Sequence, residues 1–300
     1  MNPVQNLSFT DLKLINLLDE LGHLTHVADQ LFITQPAVSH KLKQIEAIVG
    51  SPVVRKQGKR FVLTESGFVL KELYQKMNRI YKEGSDQLQD LGQVLTGNLT
   101  IGTSDTIGIH YLPKLIRLFS QSYPNINIRL TSKPSRIVAQ DMLLGKIDLG
   151  IALTSSVDDR FEIYPLFRRE DCIIVSGKSK YAGLQKSRLK RFALEPLIVL
   201  DTLSQSRFYI MNWFKDNGYD LKIAMELGSI EMVKKYVEYE FGFSIVPKLS
   251  IVEEVNSKRL AQIDIIDNYP FHMIGAFVIK EKYVSQAAKV FIDFLRNQSK

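Results

Sequence analysis

The 300-residue sequence predicts a helical N-terminal domain with a β-hairpin, then a long helix, and then a two-lobed α/β domain. Three observations support this prediction. Apolar residues recur at helical spacing before residue 50, a narrower apolar stripe runs from Leu70 to Leu95, and strands alternate with helices after residue 98. The length is sufficient for two or three domains that bury a substantial core.

Three helices are predicted between residues 7 and 50. The first carries seven apolar residues from Phe9 to Leu21, and the second covers 24–31 with Val27, Ala28 and Leu31 facing inward. The third follows a turn at 32–34, with Thr34 as its N-cap and Pro36 in its first turn. Two helices joined by so short a turn predict a helix-turn-helix.

The third helix, within ITQPAVSHKLKQIE at 33–46, has two faces. One face is apolar and should be buried: Val38, Leu42, Ile45 and Val49. A polar set keeps the same spacing on another side: Gln35, Ser39, Lys43 and Glu46. By themselves these residues are equally compatible with an ordinary amphipathic surface helix and with a helix that docks in a groove.

The next segment, SPVVRKQGKRFVLT at 51–64, predicts two strands joined by a turn at Gly58. Val53, Phe61 and Leu63 would pack inward, and the cations would point outward as a wing. Residues 39–60 carry a net charge of +5, whereas residues 1–95 together carry only +1, and the whole chain carries +7. Basic charge concentrated beside a helix with a free polar face favours DNA as the partner.

A long helix is predicted from Thr64 to about Leu95. Its stripe residues are three or four positions apart: Leu70, Leu73, Met77, Ile80, Gly84, Leu88, Leu91 and Leu95. A narrow apolar stripe between charged flanks is typical of a helix that pairs with another helix. We therefore favour self-association, with packing onto the helix's own domain as the alternative. Gly97-Asn98 should end the helix and act as a hinge.

Residues 99–300 alternate between strands and helices. Strands are predicted at 99–102, 126–130, 147–153, 172–175 and 197–200, and helices at 107–122, 135–145, 206–217, 229–240 and 285–297. This alternation predicts helices that cover a largely parallel sheet. Because about 200 residues is large for one lobe, two lobes joined by crossing strands near 166–171 and 268–275 fit better.

The stretch LTHVADQLFITQPAVSHKLKQIEAIVGSPVVRKQGKRFVLTESG at 24–67 resembles the LysR-type transcriptional regulators. QPAVS followed by LTESG is specific in combination, and looser signals follow in the expected order, GKIDLGIA at 145–152 and GFSIVP at 242–247. The sequence departs from the family pattern at three places. His23 stands where the family usually has Ser or Thr, Val27 where it usually has Ala, and Val53-Val54 where it usually has Leu-Phe.

The resemblance extends in layout over the whole chain. It implies a winged helix-turn-helix domain at 7–64 (helix-turn-helix 24–43), a linker and dimerisation helix at 65–96, and a periplasmic-binding-protein-like effector-binding domain at 97–300. Lobe I of that domain would comprise about 97–167 and 273–300, and lobe II about 168–272.

The resemblance also implies a function: sequence-specific DNA binding that regulates transcription under the control of a small-molecule effector, without enzymatic activity. The partners it implies are an inverted-repeat operator, RNA polymerase and a second copy of the chain bound through the linker helix, with tetramers common in the family. The DNA-binding residues expected on this basis are Thr34, Gln35, Pro36, Ala37, Ser39, His40, Lys43, Arg55, Lys56, Lys59 and Arg60.

These residues have different expected roles. Gln35 can pair bidentately with adenine, Ala37 can contact a thymine methyl, and Ser39 or His40 can reach a base or a phosphate. Lys43 and the four wing cations should contact phosphates, which gives affinity and salt dependence rather than sequence choice.

The effector is expected in the cleft between the lobes, where loops that carry hydroxyl groups follow strands. Free N–H groups at helix starts, with hydroxyls beside them, suit an anion or a carboxylate, although each Ser or Thr could instead be a simple N-cap. Asp105 argues against a doubly charged anion, or contacts a ligand amine or hydroxyl, and Arg207 is either a cleft cation or a surface residue. The expected effector-binding residues are Thr103, Ser104, Asp105, Thr106, Ser132, Lys133, Thr154, Thr202, Ser204, Arg207 and Ser229.

Other classes of protein fit less well. No apolar run is long enough to span a bilayer, no secretory signal is visible, and the single Cys172, expected in the core, rules out an internal disulfide, so a cytoplasmic location is expected. The five histidines lack metal-ligand spacing, and His23 and His26 should be surface or capping residues. Without a catalytic or nucleotide-binding motif, no metal or cofactor is expected. A periplasmic-type solute-binding protein and an enzyme on an α/β scaffold are the alternatives.

Overall fold

The computed structural model describes residues 3–90, 96–202, 204–219, 221–269 and 271–298, and it divides into two compact units, Met1–Ser85 and Asp86–Lys300. The first unit contains α1 (Phe9–Leu21), α2 (Leu24–Leu31), α3 (Gln35–Val49), β1 (Val54–Gln57), β2 (Arg60–Leu63) and the beginning of α4 (Glu65–Asp90). None of the helices within the described ranges has the length and apolar character needed to cross a membrane.

Local signals set the ends of these helices. The Thr34 hydroxyl accepts the Ala37 N–H at 3.4 Å at the start of α3. Gly22 and Gly50 end α1 and α3 in the left-handed conformation, with φ of 71° and 77°. His23 occupies the N-cap position of α2, and its side chain makes no capping hydrogen bond.

The apolar faces of α1, α2 and α3 meet in one core, in which Val38 and Ile45 are almost fully buried. Strands β1 and β2 pair antiparallel, with Val53 and Leu63 buried and the four cations of residues 55–60 exposed. The structure therefore confirms the helix-turn-helix and the wing. A close contact holds the start of α4 against the wing: a Cβ at Gly67 would lie 2.1 Å from the Val53 carbonyl oxygen.

The apolar stripe of α4 is buried at its beginning and exposed further along. Leu70 is buried in the core of the first unit and Leu73 packs against that core, as in the alternative interpretation. Further along, Met77, Ile80 and Leu88 are 40%, 63% and 72% exposed. The last two residues of the predicted stripe, at 91 and 95, lie outside the described residues.

The second unit contains the remaining elements. Its strands are β3 (Gly97–Thr103), β4 (Ile126–Ser132), β5 (Leu149–Leu153), β6 (Phe161–Arg169), β7 (Asp171–Ser176), β8 (Lys186–Ser187), β9 (Leu197–Leu200), β10 (Ile223–Leu227), β11 (Ser244–Pro247), β12 (Leu260–Ile265) and β13 (His272–Ile279). Its helices are α5 (Asp105–His110), α6 (Leu112–Ser122), α7 (Ser135–Leu143), α8 (Gln205–Asp216), α9 (Ile230–Glu238), α10 (Val252–Asn256) and α11 (Gln286–Gln298).

The strands form two lobes. One lobe has a five-stranded sheet in the order β4-β3-β5-β13-β6, and the other has a four-stranded sheet, β11-β7-β12-β8, beside the parallel pair β9 and β10. The prediction of a largely parallel sheet is only partly right. Strands β3, β4 and β5 are parallel, but β13 runs antiparallel to both β5 and β6 because the chain returns from the second lobe through it.

Two further differences from the sequence prediction follow from tertiary contacts, whereas the prediction for Cys172 agrees with the structure. The helix predicted at 107–122 is interrupted at Tyr111 and forms α5 and α6. Gly97 lies in β3 opposite Ile126, so it is not the helix stop that was predicted. Cys172 is fully buried in β7, and burial raises the pKa of its thiol, in agreement with a core residue.

Each lobe has its own core. In the five-stranded lobe, α6 and α11 cover the sheet through Phe119 and Phe291, whose rings meet edge to face at 4.7 Å. In the other lobe, Phe192 and Phe214 belong to the core that includes Ile173 of β7. The chain crosses between the lobes where β6 continues into β7 and again where it enters β13.

Candidate functional site

The N-terminal end of α3 presents polar side chains on the surface of the first unit. Burial of the opposite face leaves Gln35 and His40 exposed and Ser39 half-buried. The Gln35 side-chain Nε2 donates a hydrogen bond to the Ser39 Oγ at 3.1 Å, one helical turn further along. The two side chains therefore form one polar surface with donors and acceptors on both residues.

Glu46 does not belong to this polar surface, although the sequence places it in the same series. Its Oε1 accepts the Val53 N–H at 3.0 Å and so links α3 to the start of the wing. The side chain has a structural role that the spacing along α3 could not reveal.

Five cations between residues 39 and 60 have no carboxylate within ion-pair distance among the described residues: Lys43, Arg55, Lys56, Lys59 and Arg60. All five are exposed. Lys41, which lies in the same stretch, is instead paired with Asp11 at 2.9 Å. Within residues 39–60, the structure thus neutralises the one cation that lies outside the predicted DNA-contact set and leaves the other five available for an external anion.

In the five-stranded lobe, the predicted effector-binding residues lie at the carboxyl ends of β3, β4 and β5. Thr103 does not fit the prediction, because it is fully buried and its hydroxyl donates to the Ile151 carbonyl at 2.8 Å. Asp105 is exposed and accepts a hydrogen bond from the Ser132 hydroxyl. Lys133 forms an ion pair with Asp141 at 2.6 Å.

The other predicted hydroxyl side chains of this lobe make fewer hydrogen bonds within the protein. Ser104 is the N-cap residue of α5 but makes no side-chain capping bond, and Thr106 follows it half-buried. Thr154 is half-buried at the start of a short 3₁₀ turn. These three side chains lie at the carboxyl ends of parallel strands, which is where ligands commonly bind in α/β sheets.

In the second lobe, the hydroxyls mostly act as helix caps. Ser204 accepts the Arg207 N–H at 3.4 Å and Ser229 accepts the Met232 N–H at 3.3 Å, which supports the N-cap interpretation for both. Thr202, two residues beyond the end of β9, is exposed. The Arg207 guanidinium contacts Glu226 at 2.6 Å, and this contact raises the pKa of Arg207.

A buried cluster at the crossing between the lobes was missed by the sequence interpretation. The guanidinium of Arg169 donates to Asp171 at 2.9 and 2.8 Å, and the two side chains are only 6% and 3% exposed. Arg169 also donates to Ser206 of α8 at 3.1 Å. The run FRRED at 167–171 is the sequence signal, because charged side chains that become buried in a crossing strand require partners of opposite charge.

His272 completes this cluster from β13. Its ring stacks on Tyr209 at 4.1 Å, and Tyr209 also contacts Ser155 of the other lobe. Burial, together with the nearby charge of Arg169, lowers the pKa of His272 to about 4. A second connection joins the lobes at a different place, where His110 of α5 meets Glu231 of α9 at 3.0 Å.

A helix-turn-helix with an unpaired basic wing, followed by a two-lobed α/β domain with open loops, defines a DNA-binding regulator that responds to a ligand. Residues 9–68 match the family described as "Bacterial regulatory helix-turn-helix protein, lysR family", and residues 92–300 match the "LysR substrate binding domain". The chain therefore belongs to the LysR family of DNA-binding transcriptional regulators.

Individual relatives agree with this assignment. The chain is 30% identical to a "Probable RuBisCO transcriptional regulator" of Cyanidium caldarium, covering 95% of this chain and 93% of that protein. It is 28% identical to the protein of the same name in Gracilaria tenuistipitata var. liui, covering 96% of both. Among solved structures, it resembles HinK, a LysR family transcriptional regulator from Pseudomonas aeruginosa, with a TM-score of 0.63, 26% identity and 98% of each chain covered.

Proposed function

We propose that this regulator reads an inverted-repeat operator with the N-terminal end of α3 and holds the DNA backbone with its wing. The observation that carries the proposal is the set of five unpaired cations beside the exposed Gln35–Ser39 surface. Lys43, Arg55, Lys56, Lys59 and Arg60 supply phosphate contacts, and each phosphate neutralised contributes about 0.9 to the salt dependence of binding.

Base recognition rests on the side chains at the beginning of α3. Gln35 presents an amide that pairs bidentately with adenine, and Ala37 contacts a thymine methyl. Ser39, already bonded to Gln35, and His40 reach a base or a phosphate, while Thr34 and Pro36 set the start of the helix. A good bidentate contact discriminates between bases by about 1–3 kcal/mol.

Two recognition helices require two copies of the chain. We propose that α4 joins a homodimer through the part of its apolar stripe that the first unit leaves uncovered, around Met77, Ile80 and Leu88. A dimer places two α3 helices on half-sites about one helical turn of DNA apart. Assembly of dimers into a tetramer, action with RNA polymerase and a cytoplasmic location belong to the same proposal.

The effector is proposed to bind at the loops that follow the parallel strands. Lys133, Arg207 and Arg169 are already paired with carboxylates, so a ligand anion would be held by N–H groups and hydroxyls such as those of Ser104, Thr106 and Thr154. Asp105 would contact a hydroxyl or amine on the same molecule. The proposed ligand is therefore a small carboxylate or other anion that also carries a hydrogen-bond donor.

Regulation then follows from lobe movement. A ligand that binds the closed lobes more tightly than the open ones shifts their equilibrium by the ratio of its two affinities, and no further. We propose that this shift alters the spacing of the DNA-binding domains in the dimer and the bend of the DNA.

A gel-shift titration on DNA upstream of the chain's own gene tests the proposal. Salt-sensitive binding supports a regulator, whereas a solute-binding protein or an enzyme on this scaffold would show none. Gln35→Ala should relax discrimination at one base position, and Lys59→Gln should weaken binding to all sequences and reduce the salt slope by about 1. An effector can be identified by thermal-shift screening, because a ligand stabilises the folded state. If that effector changed neither the DNA footprint nor the level of transcription, the regulatory step would be refuted.

A further inference from the structure

The second lobe contains a cavity of about 320 Å³ at the edge of its sheet that lies away from the proposed effector-binding loops. The end of β7, the start of β11 and Pro196, the residue before β9, all line it. Strand β9 begins beside this cavity, and the loop 201–204, which carries predicted effector-binding residues, follows the other end of that strand. The cavity is therefore separate from the site proposed above, and its volume falls in the range of small-molecule sites.

Three aromatic rings form the apolar part of this cavity. The Phe192 ring lies 4.9 Å from the ring of Tyr181 and 5.1 Å from that of Phe243, measured between centroids. Phe192 and Phe243 are buried in the core of the lobe, which fixes their positions, and Tyr181 is half-buried. Because the core already holds these rings in place, an apolar group can bind against them without the cost of ordering flexible side chains.

Two carboxylates lie beside the rings. The Tyr181 hydroxyl donates to the Glu195 Oε1 at 2.6 Å, and this hydrogen bond, together with the ammonium of Lys180, lowers the pKa of Glu195, so the group is ionised at neutral pH. Glu240 lines the same cavity, is exposed, and has no cation within ion-pair distance in the part of the chain that the structure describes. Aromatic faces beside carboxylates suit an organic ammonium ion.

The chain's own Lys180 shows how an ammonium group is held at this cavity. Its Nζ lies 4.8 Å from the centroid of the Tyr181 ring and 2.9 Å from the Glu195 Oε1. The Lys180 side chain is 70% exposed, so packing does not lock it in this position. A ligand that joins an ammonium to an aromatic ring would make the same two contacts and would also bury its ring against the aromatic wall.

We propose that this cavity is a second ligand site, which binds a small organic amine that carries an aromatic or other apolar group. The ligand ammonium takes the place of Lys180 beside Glu195 and the Tyr181 ring, and the apolar group packs against Phe192 and Phe243. Glu240 supplies a further negative charge at the rim. The site is opposite in sign to the anion site proposed between the lobes, so each should reject the ligand of the other.

Saturation-transfer NMR titrations of the full chain with phenethylamine test this proposal, with 2-phenylethanol as the uncharged compound of similar shape. We expect saturable binding of phenethylamine that is tighter than that of 2-phenylethanol by about tenfold, because only the amine makes the charged contacts. Glu195→Gln should weaken phenethylamine binding by a similar factor. Lys180→Ala should tighten it about two- to fivefold, because an internal competitor worth one exposed ion pair is removed.

A matched control lies on the surface of the same lobe. The Lys235 Nζ lies 5.1 Å from the Tyr239 ring and 3.3 Å from the Glu238 Oε2, so the same three groups meet there, but the Tyr239 ring is exposed. Lys235→Ala should leave the affinity for phenethylamine unchanged.

Three results would overturn the inference. One is phenethylamine binding to Lys180→Ala and Glu195→Gln with the affinity of the parent chain, because the amine would then bind elsewhere. The others are equal affinity for the amine and the alcohol, and the absence of saturable amine binding to both the parent chain and Lys180→Ala. The proposed DNA-binding function stands whichever of these results is found.

Discussion

Replacing Asp171 with asparagine should destabilise the second unit strongly, because it leaves a buried guanidinium without its counter-charge. Asp171 accepts two hydrogen bonds from Arg169, and both side chains are almost fully inside the protein. The Ser206 hydroxyl accepts a third bond from Arg169 but carries no charge. Nothing else that the structure describes around this pair replaces the lost carboxylate.

The size of the effect follows from this geometry. Breaking a buried, bidentate ion pair by removing one partner costs about 3–5 kcal/mol. For a unit of this size, about 4 kcal/mol corresponds to a fall in melting temperature of about 8–16 °C. Replacing both partners, as in Arg169→Met with Asp171→Leu, should recover most of the loss, since no charge then remains buried.

The chain provides a specific probe for the measurement. Trp213 is the single tryptophan of the sequence, and it lies on α8, where its ring N–H donates to the Asn268 carbonyl at 3.2 Å. Its fluorescence during urea or thermal unfolding therefore reports on the second unit, free of signal from the DNA-binding unit.

A matched control is available on the surface. Arg160 and Asp158 form a bidentate pair with the same two-residue spacing, and both are exposed. Asp158→Asn should leave the unfolding midpoint almost unchanged, because solvent screens exposed pairs. Equal midpoints for Asp171→Asn and Asp158→Asn would refute the argument from burial.

Three further predictions concern other parts of the chain. The pKa of His272 is held at about 4, below the value of about 6.5 for an unfolded histidine, so the unfolded chain takes up this proton first. The free energy of unfolding should therefore fall as the pH drops from about 6.5 to about 4, by no more than about 1.4 kcal/mol per pH unit. In His272→Gln, the free energy of unfolding should depend less steeply on pH over this range. Gly67→Ala should destabilise the first unit by about 1–3 kcal/mol in circular-dichroism melts, because the added carbon meets the Val53 carbonyl, whereas Gly84→Ala on the same helix meets open space and should cause no loss. Ile80→Glu should turn the proposed dimer into a monomer in sedimentation experiments without unfolding the first unit, and a variant that dimerised as the parent does would contradict the role proposed for α4.

Much of the architecture of α3 and the wing was predictable because its determinants are local. Thr34 and Pro36 fix the start of α3, and the apolar spacing along the helix decides which face is buried. The turn at Gly58, with φ of 61°, likewise depends on a few neighbouring residues. Such signals act within one or two turns of the chain, so the sequence displays them directly.

Residues that pair over longer distances were predicted less well. Thr103 was expected to face a ligand, yet it bonds to Ile151, 48 positions later, because β3 and β5 are neighbours in the sheet. The sequence offers Arg207 as a possible free cation, yet Glu226, 19 positions away, pairs with it. A hydroxyl group or a charged group in the sequence does not by itself reveal its hydrogen-bond or ion-pair partner in the fold.

The sequence by itself determined the helix-turn-helix, the wing, the alternation of strands and helices, and the family. These depend on periodicity, capping and turn residues, which act between neighbours. Only the tertiary structure decided which cations are free, which part of α4 is covered, and that Arg169 and Asp171 are buried where the lobes join. The physical reason is that burial and charge pairing depend on which elements lie side by side. In the second unit these elements are far apart in the sequence, because the chain leaves the first lobe, builds the second, and returns to the first through β13.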